Sequence, residues 1–86
     1  MGKKNAAIRA AVSERALIAR INRALAKEND DRVLRKCRED SRSFRDLGHY
    51  YVVDISRNSI IDHHIEIEEM GRQWRVLKSW EELAAD

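Results

Sequence analysis

Proline is absent from this chain, cysteine occurs once, and there are three glycines and five aromatic side chains. Without proline nothing interrupts helices and hairpins, and long loops are not expected. A single thiol, Cys37, excludes an internal disulfide and points to a reducing cytoplasm. It reads as a free structural thiol, because reactive thiols sit beside a base or a helix N-terminus. Also missing are C-x-x-C, H-E-x-x-H and any glycine-rich phosphate loop, so metal, cofactor and nucleotide chemistry find no support.

Long apolar runs are lacking as well. The segment "MGKKNAAIRAAV" opens with two lysines in the manner of a signal peptide, yet Arg9 breaks the run and Glu14 soon follows. No window approaches a membrane span, and Ala6 stands where N-myristoylation needs a hydroxyl, so no membrane association is expected.

What remains is 86 residues, enough for one compact domain, with 37% charged residues and a net charge of +2. The charge is unevenly placed. Through Asp46 there are 13 basic and 7 acidic residues, and afterwards 4 basic and 8 acidic, so the halves carry about +6 and −4. Twelve of the 17 basic residues are arginine, whose planar fork suits phosphate and carboxylate.

The expected architecture is α+β: one small domain over 13–86, preceded by a mobile basic N-terminal arm over 1–12. Ser13 can cap a helix in which Leu17, Ile18, Ile21 and Leu25 form one apolar stripe. The helix should end at "KENDD". "RVLRKCR" fits a helical turn or a strand, and the strand is preferred. "EDSRSFRDLG" reads as a polar loop. "HYYVVDI" and "SIIDHHI" form a hairpin, with Tyr51, Val53 and Ile55 sharing the apolar face with Ile61, His63 and Ile65. Setting Val53 opposite Ile61 leaves a three-residue loop, Ser56 to Asn58, with Asn58 left-handed.

A last main helix should bury Ile67, Met70, Trp74 and Leu77, with Gly71 admitting a close approach to the sheet. "SWEE" matches a capping box and predicts a helical turn through Leu83, with Trp80 across the core edge. The order is then α-β-β-β-α, two helices on one face of an antiparallel meander.

That order is similar to double-stranded-RNA-binding domains. In that family lysines at the start of the second helix meet phosphate, whereas the matching stretch here is "EIEEMG", and no site residues carry over.

Adjacent histidines, His63 and His64, are the nearest approach to a reactive cluster. Neighbours on a strand point to opposite faces, so the two are not expected to grip one metal ion. Asp62, His64 and Glu66 follow at two-residue steps on the second face, but no further cluster completes a shell, and no catalytic residues are assigned.

The basic half therefore carries the expected function: a small non-enzymatic accessory or regulatory protein that binds nucleic acid through its first helix and arm. Arg15, Arg20, Arg23, Lys27 and Arg35 are the expected phosphate contacts. The alternative is a protein-interaction module or homo-oligomeric adaptor, possible as a homodimer, that docks through the apolar stripe of the first helix.

Overall fold

The computed structural model describes residues 10–84; most of the expected basic arm, residues 1–9, lies outside them. The elements are β1 (Ala10–Val12), α1 (Glu14–Lys27), β2 (Arg32–Lys36), α2 (Phe44–Leu47), β3 (Tyr50–Asp54), β4 (Ser59–His63), α3 (Ile67–Gln73) and β5 (Glu81–Leu83). Strands β2, β3 and β4 form an antiparallel meander, and β1 pairs with β5 in a separate parallel pair. The α-β-β-β-α core is the expected one, and β2 is a strand.

Local chemistry explains α1. The Ser13 hydroxyl accepts the Ala16 N–H at 3.1 Å, Glu14 sits in the first turn and Lys27 in the last. The C-terminus closes where Asn29 turns left-handed and Asp30 N–H returns to Leu25 O at 3.0 Å. Leu17, Ile21 and Leu25 are fully buried, and Ile18 packs half-buried against the same core. The stripe is thus packed inside the fold.

On the sheet the core side differs from expectation. Leu34 and Val52 are the buried strand residues, so the inner face is the set containing Tyr50 and Val52, and Tyr51 and Val53 lie outside. Both faces of "YYVVD" carry one tyrosine and one valine, so alternation alone does not choose between them. His63 does lie opposite Tyr51, but Val53 faces Ile60, with a bulge between the two pairs.

The hairpin loop supplies the cause. The Asp54 carboxylate accepts the N–H groups of Ser56 and Arg57, at 3.0 and 3.2 Å, and the Ser56 hydroxyl at 2.7 Å. Such a side-chain turn holds four loop residues, Ile55 to Asn58, and the bulge absorbs the extra one. Asn58 is left-handed as expected, while Ile55 is carried into the loop and exposed.

Helix α3 is shorter than its apolar spacing suggested. Arg75 turns left-handed, and the Val76 and Leu77 N–H groups both return to Gly71 O, so Leu77 reaches the core from a loop. Ile67 and Leu77 are buried; Met70 and Trp74 are half-buried. A Cβ on Gly71 would sit 2.8 Å from Leu17 Cδ1 and 3.2 Å from Leu77 Cβ, so its close approach is to α1 rather than to the sheet.

The C-terminal stretch is a strand, not a helical turn. Ala10 N–H donates to Trp80 O and Ala84 N–H to Val12 O, both at 2.8 Å, and this parallel partner gives the backbone what a cap would have given. Residues 10–12 of the expected arm are therefore part of the fold. Trp80 is 59% exposed and does not cross the core edge.

The free edge of β2 is sealed by one side chain. Asn22 Nδ2 donates to Leu34 O at 3.0 Å, and Leu34 N–H donates to Asn22 Oδ1 at 2.7 Å, so an amide imitates a neighbouring strand. Replacing Asn22 by alanine strips both partners and should cost about 1–3 kcal/mol in urea unfolding. Gly71→Ala should cost a comparable amount, about 1–3 kcal/mol, by pushing Leu17 from its packed position.

Candidate nucleic-acid interface

The five expected phosphate contacts do not gather on one surface. Arg15, Arg23 and Lys27 are exposed on the side of α1 away from the sheet, among the exposed Ala16, Ala19 and Ala26. Arg20 is engaged: its Nη1 donates to Val76 O and to Glu81 Oε1, each at 2.9 Å. Arg35 alternates to the outer face of β2, so the sheet lies between it and the α1 cations.

Two other cations of the first half are also tied into the fold. Arg32 grips Asp30 through Nε and Nη2, at 2.9 and 2.6 Å, and lies 5.7 Å from the Trp74 ring centre. Hydrogen bonds from the Arg32 side chain, then its backbone N–H, take the Asp30 carboxyl from 3.8 down to about 2. Lys36 donates to Glu14 Oε1 at 2.8 Å, and the Tyr50 hydroxyl donates to the other oxygen. These two donors, Lys36 first, hold the Glu14 carboxyl below its usual range. At the C-terminal strand, Arg20 and the Lys78 N–H do the same to Glu81.

With α1 and α3 on the inner side, no helix or strand among the described residues covers the outer face of the meander. Register puts Arg35, Tyr51 and His63 side by side on β2, β3 and β4, one cross-strand row. The neighbouring row is Val33, Val53 and Ile60. Arg35, His63 and Ile60 are exposed, while Tyr51, Val33 and Val53 are half-buried. Asp54 and Asp62, the carboxylates of these strands, alternate to the inner side, so the strands place no negative charge on the outer face. Beside Tyr51 a hollow of about 240 Å³ is lined by Arg38, Ser41, Ser43 and Leu47 among others. Arg38 is 84% exposed and its 3.7 Å contact with the equally open Asp40 restrains it little.

The histidines meet differently from the strand expectation. His64 lies beyond the end of β4 in a left-handed conformation, its N–H donating to Leu47 O at 2.7 Å. Ile65 rather than His64 takes the place by Tyr50, to whose carbonyl its N–H donates. The two imidazoles consequently come edge to face, 5.1 Å between centres. Asp62, His64 and Glu66 do share one groove of about 480 Å³ between β4 and α3, and His63, on the edge strand, also borders it. Among the described residues no group of three or more His, Cys, Asp or Glu is placed to hold a metal ion. Cys37 is buried.

No family model, curated protein or solved structure matches the chain. Among the described residues no helix is long and apolar enough to cross a membrane.

The side-chain alternation pairs Tyr51 with His63 across the strands, as observed, but on the apolar core face, whereas the fold buries the face of Val52. Because the Asp30 carboxyl titrates lower in the folded chain, the Arg32 contact stabilises above the ordinary value of 3.8 and is lost as pH falls toward about 2. Asp30→Asn should flatten the loss of stability over that acid range, read by thermal unfolding at successive pH values.

Proposed function

We propose that the chain is a non-enzymatic nucleic-acid-binding protein whose contact surface is the outer face of the meander. The observation that supports this most directly is the charge sorting across the sheet. One arginine and one histidine face outward, both strand carboxylates face inward, and the exposed Arg38 stands at the margin. A polyanion meets there cations that the fold has not spent and no strand carboxylate to repel it.

Arg35 and Arg38 act as phosphate contacts, which position a strand without reading its sequence. Arg15, Arg23 and Lys27 lie across the molecule, and their part is long-range attraction that raises the encounter rate. Arg20 holds the C-terminal strand through Glu81, so its removal acts on stability.

Binding of labelled oligonucleotides by anisotropy, over a series of salt concentrations, tests the reading. Arg35→Ala should weaken binding by roughly tenfold or less and reduce the salt slope by about 0.7–0.9, the share of one phosphate contact. Arg15→Ala with Arg23→Ala should slow association and leave the dissociation rate nearly unchanged. Wild-type protein that binds no oligonucleotide at low salt defeats the proposal. A sedimentation mass of two chains that Ile60→Lys returns to one would assign the face to a second copy instead.

A further inference from the structure

We infer that the ligand of this face is a single strand with unpaired bases, stacked on Tyr51 and Arg35. The inference rests on the outer-face reading and goes beyond it by naming the class of nucleic acid.

The geometry of the row carries it. Tyr51 sits on the central strand with Arg35 directly opposite on one side and His63 directly opposite on the other. Cross-strand neighbours on one face have Cβ atoms about 4.5–5.5 Å apart, so the register sets the three residues in one row across the sheet. The Tyr51 ring and the Arg35 guanidinium plane each offer a π-face to a base, and the His63 imidazole, held edge to face against His64 with 5.1 Å between centres, ends the row. None of the three makes a side-chain ion pair among the described residues, and Tyr51 and His63 make no side-chain hydrogen bond there. The adjoining apolar row, Val33, Val53 and Ile60, favours the edges and faces of bases over water.

Duplex fits this surface poorly. Its bases are stacked on one another and closed to a flat sheet, and the outer face offers, among the described residues, neither a helix nor a protruding ribbon for a groove. The hollow beside Tyr51, with Arg38, Ser41 and Ser43 in its wall, gives the phosphate next to a stacked base a polar seat. A single strand crossing the meander along the row thus meets stacking groups in the middle and cations toward the β2 side.

The test uses full-length protein with deoxythymidine, deoxyadenosine and uridine oligomers, a duplex of equal length, and heparin as a base-free polyanion. Single strands should bind at least tenfold more tightly than the duplex and compete against heparin at matched charge. Tyr51→Ala should lower single-strand affinity roughly tenfold with an unchanged salt slope, and Tyr51→Phe should restore most of it. Tyr51→Phe keeps the ring and shape, which separates lost stacking from lost folding, and circular dichroism of each variant checks the fold. His63→Ala should cost less than Tyr51→Ala, since His63 lies on the edge strand. Equal binding of duplex, single strand and heparin, with sensitivity to Arg35→Ala but not to Tyr51→Ala, would overturn this inference and leave the outer-face reading standing. Absence of all binding removes both.

Discussion

Everything else in this small fold follows from where α1 must bury Leu17, Ile21 and Leu25. Each side chain is fully removed from water and is worth about 1.5–3 kcal/mol of hydrophobic stabilisation, and the inner sheet residues Leu34 and Val52 complete the same cluster. Once that stripe faces inward, the outward direction of Arg15, Arg23 and Lys27 is decided by helical periodicity. Gly71 allows α3 to press against Leu17, so both helices occupy one side of the meander. Among the described residues no second layer covers the other side.

The same placement sorts the charges. A list of basic residues along a chain is not a surface, because folding spends some of them on internal partners. Arg20 is turned toward Val76 O and Glu81, Arg32 toward Asp30 and Trp74, and Lys36 toward Glu14. The carboxylates in these pairs are held in their charged forms by the donors beside them, so they are structural contacts. Among the described residues, exposed cations remain on α1 and, on the opposite side of the molecule, on the outer sheet face. The proposed binding of an extended polyanion with bases draws on the Arg35 and Tyr51 side chains of that face.

Backbone groups left over by such a short meander are satisfied by side chains and by the chain's own ends. Asn22 closes the edge of β2 with two hydrogen bonds, and β1 and β5 supply each other's partners far apart in sequence. Arg20 and Arg72 then tie β5 and the turn before it to the helices, through Glu81 Oε1, Glu81 O and Lys78 O. A capping-box pattern at "SWEE" lost to this arrangement because a strand partner satisfies three residues where a cap would satisfy two groups.

Local pattern in the sequence determined α1 with its Ser13 cap and buried stripe, the β3–β4 hairpin, the left-handed Asn58 and the pairing of Tyr51 with His63, while "RVLRKCR" fitted a strand or a helical turn until β2 paired with β3. Each depends on residues within one turn of helix or one hairpin, where spacing and side-chain type act directly. Tertiary structure alone decided which face of β3 is inside, because both faces of "YYVVD" carry one tyrosine and one valine and the packed helices choose between them. It also decided the bulge, through the grip of Asp54 on its loop, and the β1–β5 pair, whose partners lie about seventy residues apart. The fate of each arginine belongs to the same class, since an ion pair between Arg20 and Glu81 depends on distances that no local pattern encodes.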